Sequence, residues 1–545
     1  MKLCRSKRLL SFVLITICPL INTAQSFQWV RSLGGSDYDQ AKDIQVDGSG
    51  NVWSTGYVIG PSTSDCSTLN GIGGADVSVV KLDGLGNCLL SFIDGGPQGD
   101  EVGQGIATDV NGNAYITGSY TSVANFGGTS IPTNGMADMF IVKYNTNGVQ
   151  QWVAHGGGLL DDEGRAVSVD AAGNVFVCGY FRNTATFGAF SLTSSGNRDA
   201  FLAKLDANGN YLWAMKAGGI GGEEALAVAT DQLGNAFVTG FCSSGLTYFG
   251  PIGLPTNGGA DLFLAKYDPS GTCIWARNGG GGTSDQGNDV AVDALGNSYV
   301  VGWVNGDTVV FDGATLITNG VLEDVVLARY DALGNLDWVI TTGGTDVDQG
   351  TGIALNTKNE PIVTGNFSGS GTFGGTLLST SGGVDVFVAA YDTTGAGLWS
   401  LASGGLNYDP AAKVTVDTQD GIYINGGYDQ QAVFGALPIT SISSADHYMA
   451  RIGEIISVVD GTPQPEAVFT LLWDQDNGIL TITGSGFAAI AGPLTYQAFD
   501  SSGRLVLYGQ TALHHAVDLS SFAPGLYTIR VNAAAHTASG RIMKF

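Results

Sequence analysis

The sequence predicts an all-β fold assembled from seven copies of one four-stranded unit, and three markers predict it independently. Tryptophan stands at Trp29, Trp152, Trp213, Trp275, Trp338 and Trp399, with one gap near Leu90. A Gly-Asn pair recurs at Gly50-Asn51, Gly112-Asn113, Gly173-Asn174, Gly234-Asn235 and Gly296-Asn297, and degenerate copies follow around Asn359 and Gly421. Aspartate opens a further strand at Asp76, Asp138, Asp199, Asp261, Asp324, Asp385 and Asp446. Each series steps by 61 to 63 residues, and a fixed period of this kind marks stacked supersecondary units that share one core. Composition agrees: 83 glycines, 13% charged residues, plentiful aromatics and no sustained helical period.

The first 24 residues precede the repeats and read as a secretory signal. Lys2, Arg5, Lys7 and Arg8 lead into the apolar run 9–21, and Thr23-Ala24 supply the small residues at which such a segment is cut. Cys18 follows Ile17, where a lipoprotein signal requires a small residue. No other run approaches the ~20 apolar residues of a membrane span.

Each copy then reads as four strands, at roughly 165–170, 174–181, 200–206 and 211–215 in the third. "NVFVCGYF" and "AFLAKLD" alternate apolar and polar positions, so each strand has a face to bury. The turns "DAAGN" and "DANGN" place glycine where a tight hairpin needs positive φ. Between strands two and three lies a recurrent Phe-Gly, at Phe187-Gly188, Phe249-Gly250 and Phe434-Gly435, which fits a short extra hairpin.

One four-stranded sheet cannot bury both faces, so the copies must pack on one another. A linear solenoid needs atypical polar ends, whereas a propeller closes on itself. The first copy opens with a lone strand, 27–33, and the seventh stops at "HYMARIG" without one. The two ends complement each other, which predicts a seven-bladed β-propeller whose N-terminal strand completes the last blade beside 447–452.

Units of the form "DxxGNxYxTG … DxFxxKxD … GxxxW" resemble the SBBP family of bacterial β-propeller repeats over 27–452. The departures are the missing tryptophan of copy two, "NTKNEP" in place of the usual turn in copy six, and Ala390 where other copies carry Lys or Arg. The domain plan is therefore a signal at 1–24, a propeller at 25–453, a Pro-, Gly- and acid-bearing linker at 454–467, and a unit at 468–545 whose short alternating strands suit a small β-sandwich.

That last unit resembles the type A sorting domain of the type IX secretion system of Bacteroidetes-like bacteria. The residues that carry the resemblance are Tyr496, then Asp500, Gly503 and Arg504 in "DSSGR", Asp518 and Leu519 with Ser520, the run Pro524, Gly525, Leu526 and Tyr527, and the basic ending at Lys544. The Pro-Asn-Pro often found at the start of that domain is absent here. The resemblance implies the type IX machinery as a partner, passage through the outer membrane, and then either release or attachment to the cell surface.

Charge narrows the partners. The chain holds 49 acids against 23 Lys and Arg, a formal charge of −26, and loss of the signal's four basic residues makes it about −30. Such a surface repels nucleic acid and anionic lipid. Cys66, Cys88, Cys178, Cys242 and Cys273 occupy different repeat positions and read as buried apolar fillers rather than a disulfide framework.

The most regular polar feature is an acid ten residues after each tryptophan position: Asp39, Asp100, Asp162, Glu223, Asp285, Asp348 and Asp409. In a propeller these would ring one mouth of the central channel, either as a cation site, with calcium the candidate, or as carboxylates bonded to the amides of their own loops. The second alternative accounts better for sevenfold recurrence. The basic series Lys81, Lys143, Lys204, Lys266, Arg329 and Arg451 reads as stems laid along a neighbouring blade, their heads on its acids. "DQDNG" at 474–478 lacks the distal acid of a calcium loop. His155 and His447 are isolated, while His514, His515 and His536 lie in the last unit. No HExxH, GxSxG, P-loop or paired-Cys zinc spacing occurs, so catalytic residues and a cofactor are assigned nowhere.

The expectation is a monomeric exported propeller that binds an extracellular glycan or protein. The alternatives are a structural surface protein without a discrete ligand and a carbohydrate-active enzyme. Function in a repeat array sits where symmetry breaks: at 59–74, at 161–165, at 247–253 and at 358–360, with Tyr248, Phe249 and Trp303 as candidate aromatic contacts.

Overall fold

The computed structural model describes residues 21–35, 37–64, 67–243, 245–306, 308–320 and 322–458, and then 468–474, 479–485, 494–499, 505–511, 516–518, 525–533 and 536–544. Every regular element among them is a β-strand, and no helix there is long and apolar enough to cross a membrane. The expected signal lies outside the described residues up to residue 20, while Ile21–Gly35 is one strand. Contacts divide the chain into Ser26–Gly453 and a second unit that includes Glu454–Phe545.

Within Ser26–Gly453 the third copy shows the pattern. Glu163–Val169, Val175–Phe181, Asp199–Leu205 and Tyr211–Gly218 pair in that order, each antiparallel to the next. The first hairpin forms because Asp170 caps it: its carboxylate accepts the amides of Ala172 and Asn174 and the Asn174 side-chain amide. Gly173 then turns the chain at φ 82°. The two degenerate copies keep this geometry with Asn359 at φ 60° and Asp420 at φ 62°, the two residue types that tolerate the left-handed region best after glycine. Copy six uses Asn356 as the capping residue, accepting from Lys358 and Glu360.

The Phe-Gly segments are hairpins, and each ladders onto the copy before it. Thr184–Phe187 pairs with the last residues of Gln150–Gly158, Leu246–Phe249 with Tyr211–Gly218, and Thr308–Phe311 with Cys273–Gly280. In the first copy the same place is taken by Ser62 and Thr63, which pair with Gly35 and Gly34 of the N-terminal strand. That strand also hydrogen-bonds Leu437–Val458.

Neighbouring copies pack face to face. One cluster joins Phe176, Leu202 and Trp213 of copy three to Val238, Phe263 and Tyr267 of copy four, and another joins Trp29, Leu33 and Val52 to Tyr423 and Met449. Four of the six periodic tryptophans donate to the turn of the following copy: the indoles of Trp29, Trp152, Trp213 and Trp338 donate to the carbonyls of Gly84, Ala207, Pro269 and Thr393 at 2.9–3.2 Å. Where copy two lacks a tryptophan, Leu90 and Phe92 fill the space below Gly148. The first strands touch in series, and Gln40–Val46 of copy one meets Ala411–Val416 of copy seven, with Asn425 donating to Ser54 Oγ at 3.0 Å.

The cysteine expectation needs one correction. Cys178, Cys242 and Cys273 are free and buried, but Cys88 is disulfide-bonded. It belongs to the copy with the long 59–74 insertion, so a cross-link there has no counterpart in the other copies and leaves no periodic trace.

In the C-terminal unit, Val468–Asp474, Ile479–Ser485 and Ala516–Asp518 form one sheet, and Leu505–Thr511, Leu494–Phe499, Gly525–Ala533 and His536–Lys544 form another. Of the residues carrying the sorting resemblance, Asp518 pairs with Ile479, and Gly525, Leu526 and Tyr527 pair with Lys544, Met543 and Ile542. Asp500, Gly503, Arg504, Leu519 and Pro524 lie outside the described residues, as does most of "DQDNG".

Candidate functional site

The acid series does not face solvent. Asp39, Asp162, Glu223, Asp285, Asp348 and Asp409 are fully buried. Each serves its own loop: Asp162 accepts the amides of Gly158 and Arg182, Asp285 those of Gly281 and Asn305, and Asp409 those of Gly405 and Asp429, at 2.5–3.0 Å. Copy two requires a correction. Asp100 is exposed, and the buried member is Glu101, which takes the Gly96 amide at 2.8 Å; two adjacent acids made the register ambiguous in the sequence.

These carboxylates meet the second acidic series. Asp76, Asp138, Asp199, Asp261, Asp324, Asp385 and Asp446 are buried at the head of the third strands, each accepting an amide four or five residues upstream, as from Ile72, Ser195 and Asn319. A glycine closes over each meeting point. A Cβ at Gly95 would overlap Asp76 and Glu101, one at Gly280 would overlap Asp285 and Asp261, and one at Gly343 would overlap Asp348 and Asp324. Burial, reinforced by the neighbouring acid, pushes Glu101, Asp162, Asp285 and Asp348 up to about 7 and Asp39 and Asp409 up to about 6. Among the described residues no three His, Cys, Asp or Glu side chains converge as a metal site requires. The pairs are latches that tie the end of one copy to the start of the next.

The closeness of that glycine is testable. Gly280→Ala should cost about 2 kcal/mol or more by overpacking against two carboxylates. Gly282→Ala, where nothing lies within 4 Å, should leave the thermal transition unchanged. Equal melting temperatures for the two variants would refute the latch.

The basic series is structural, though not as expected. Lys81, Lys143, Lys204 and Lys266 pair with Asp47, Asp109, Asp170 and Asp231 of their own copy at 3.5–3.9 Å. The neighbouring copy contributes main chain instead, as the ammoniums of Lys81, Lys204 and Lys266 donate to the carbonyls of Thr146, Pro269 and Ala332. Arg329 pairs with Asp337 at 2.8 Å, and Arg451 lies over the Tyr423 ring.

With the periodic charges absorbed, a β-bulge becomes informative. Each first strand carries an extra residue, seen as register shifts at Ala41/Asp43, Gly103/Gly105, Gly164/Ala166, Ala225/Ala227, Gly287/Asp289, Gly350/Gly352 and Ala411/Val414. A bulge leaves its residue out of the ladder and re-aims the side chain. The residue type varies: Lys42, Gln104, Arg165, Leu226, Asn288 and Thr351, with Ala412 and Lys413 in the last copy.

Around Arg165 this variation builds a cluster. Its guanidinium lies 3.1 Å from Glu163 and 3.7 Å from Glu224. Arg198 holds Glu224 at 2.6 Å, and Arg182 holds Asp161 at 3.5 Å. Tyr180 donates to Glu163 at 2.8 Å, and its ring lies between Arg165 and Arg198, 5.3 and 5.2 Å from its centroid. Lys42 is half-buried with its ammonium 5.8 Å from the Tyr57 ring. Burial and then the charge of Arg165 push its amine down to about 8. A second group lies near: Lys413 pairs with Asp289 at 3.2 Å, and burial raises Asp43 to about 7 against the pull of Lys413.

Of the other symmetry breaks, Tyr248 is 51% exposed on its hairpin while Phe249 is core at 1%. Trp303 is half-buried beside Gln286. The 59–74 segment extends the hairpin Val52–Thr63/Thr68–Leu82, and 358–360 is the turn built on Asn356.

Comparison with known proteins agrees with the repeat. Residues 276–307 match the SBBP family, described as a beta-propeller repeat. The chain is 24% identical to the uncharacterized WD repeat-containing protein L264 of Acanthamoeba polyphaga mimivirus, over 80% of this chain and 39% of that one. It is 25% identical to the regulatory protein FlaEY of Caulobacter vibrioides, over 58% of this chain and 37% of that one. It thus spans about two-fifths of the length of these relatives. Among solved structures, YCF48 bound to D1 peptide aligns with 83% of this chain and 99% of its own at 12% identity and a TM-score of 0.36. The extracellular domain of the putative hybrid two-component system BT3049 of B. thetaiotaomicron aligns with 92% of this chain and 68% of its own at 12% identity and a TM-score of 0.22. Fold and repeat together define a β-propeller repeat protein.

Proposed function

We propose that the chain is a secreted or cell-surface propeller of seven four-stranded blades, its N-terminal strand completing the last, that acts as an extracellular binding or adhesion module. The observation that carries this reading is the division of labour among charges. Acids and lysines that recur in nearly every copy are bonded to the fold itself, while the bulge position differs from copy to copy, basic at Lys42, Arg165 and Lys413 and uncharged elsewhere. Positions that vary on a fixed scaffold are where recognition is built.

Export belongs to the same proposal, with the N-terminal segment as the Sec signal and the C-terminal unit as a type IX sorting domain. Removing 454–545 should leave the protein in the periplasm; unchanged release into the medium would sink the export route. The binding reading is tested by a glycan and surface-protein array with the full-length protein, in calcium and in chelator. Binding of a defined ligand, equal in both conditions because the acids are occupied by amides, is the expected result. Silence in both would favour a purely structural surface protein.

A further inference from the structure

We propose that a pocket on copy six, walled by Ser379, Ser381 and Asp385, is a binding site for a primary ammonium group on an alkyl chain, and this rests on the reading of the chain as a binding module. The argument begins in copy three, which fills the same place from within. There the ammonium of Lys216 donates to the Thr193 carbonyl and to Ser195 Oγ, both at 2.7 Å, and to the Asp199 carboxylate at 3.1 Å. The place is open to solvent, since 34% of the Lys216 side chain stays exposed. Copy four repeats the arrangement with an amide: Asn278 donates to the Pro255 carbonyl at 2.6 Å and to Asp261 at 3.3 Å.

Copy six keeps the acceptors and lacks the donor. Ser379, Ser381 and Asp385 stand three repeats after Thr193, Ser195 and Asp199, and the same frame presents them. Ser370 and Ser379 share a hydroxyl pair at 2.8 Å, as Thr184 and Thr193 do at 3.1 Å. Thr380 donates to the Gly382 carbonyl as Ser194 does to that of Gly196, and the Ser381 amide caps Asp385 as the Ser195 amide caps Asp199. In the place of Lys216, which lies opposite Phe201, Ala402 lies opposite Phe387. The result is a pocket of about 540 Å³ whose described lining holds one acid, Asp385, and no Lys, Arg or His. Asp385 is 1% exposed, and its Oδ1 has no hydrogen-bond donor, whereas both oxygens of Asp199 have one.

A carbonyl, a hydroxyl and a buried carboxylate around one space are complementary to an alkylammonium head, which carries three donors and no acceptor. Leu406 and Val433, also in the lining, offer its methylene stem an apolar surface. Gln430 lines the pocket too, and it holds φ 61° at a bulge where other copies place Gly60 and Gly369. A long amide is thus kept at the rim against a backbone cost.

n-Butylamine, which reproduces the stem and head of a lysine side chain, should bind the full-length protein in ligand-observed NMR at neutral pH. The butyltrimethylammonium ion, equal in charge but without N–H donors, should not compete. Ala402→Lys should fill the pocket as Lys216 fills its own and weaken butylamine at least ~tenfold. It should melt no lower than the wild type, so its loss of binding cannot be ascribed to unfolding. No binding by the wild type, equal affinity in Ala402→Lys, or equal competition by the trimethyl ion would overturn the proposal. A lysine-containing peptide that binds at least ~tenfold more tightly than butylamine, and loses that binding in Ala402→Lys, would support the site with a protein side chain as its source; equal affinity would support it with a free amine. If an array ligand binds the wild type and Ala402→Lys equally, the ammonium pocket falls as the module's site while the binding reading stands.

Discussion

Deleting residues 25–33 should abolish cooperative folding of the 26–453 unit, seen as loss of the thermal transition and rapid proteolysis of the seventh copy. The segment supplies three buried side chains, Trp29, Val30 and Leu33, each worth ~1.5–3 kcal/mol. It adds hydrogen bonds from the Trp29 indole to Gly84 and from Arg31 to Gly86, the Ser32–Tyr428 hydroxyl pair at 2.6 Å, and the Phe27–Phe434 edge contact. Together these approach the ~5–15 kcal/mol that holds a typical domain. The loss also strips Leu437–Val458 of a strand partner. An unchanged melting temperature would sink ring closure by this strand.

The second large effect is a stability that falls as pH rises. A carboxyl whose folded-state value lies near 6 or 7 keeps its proton when the unfolded chain, near ~4, has released it. The native state therefore binds more protons across that window, so stability is greatest at its acidic end and is lost as pH climbs through the folded values. Glu101, Asp162, Asp285 and Asp348 set the upper limit near 7, and Asp39, Asp409 and Asp446 set a lower one near 6. At about 1.4 kcal/mol per pKa unit, one unit at each of several latches amounts to several kcal/mol.

Two groups oppose this trend. Buried His447 is pushed down to about 3, so keeping it neutral costs stability as pH falls below the ordinary imidazole range, and the hydrogen-bonded turn carboxyls of Asp109 and Asp268 are held low, their stabilisation failing only as pH drops below the ordinary carboxylate range. The latches outnumber the histidine. The melting temperature should peak near pH 5 and drop by about 5 °C or more by pH 8, with a flatter profile in Asp285→Asn. A melting temperature that rises steadily from pH 5 to pH 8 would refute the idea that the latches fold protonated.

What the sequence disclosed follows from the range of each interaction. The period, the Asp-capped turns and the Phe-Gly hairpins are local, so alternation and glycine placement announce them. Which copy a side chain serves is not local. Lys81 was expected on a neighbour's acid and sits on Asp47 of its own turn, because the strand brings the two side chains together while only the neighbour's main chain comes within reach. The acids were expected either as a cation ring or as carboxylates bonded to the amides of their own loops, and they accept those amides; that glycine seals them lay beyond local pattern. The bulge was invisible because one added residue leaves composition and period untouched while reversing which side chains face inward, and with it went the pairing of Arg165 with Glu224, residues in different copies.

The junctions between copies carry a consequence of their own. An indole or ammonium donating to a turn carbonyl, and a hairpin laddering onto a glycine pair, read the next copy's backbone and ignore most of its side chains. Such joints behave like a standard coupling. Whole units can be duplicated, lost or exchanged by recombination without matched changes on either side, and an inserted unit arrives with its bulge position free to take any residue. The architecture thus separates the rules for joining from the letters used for recognition, which lets one evolve while the other stays fixed.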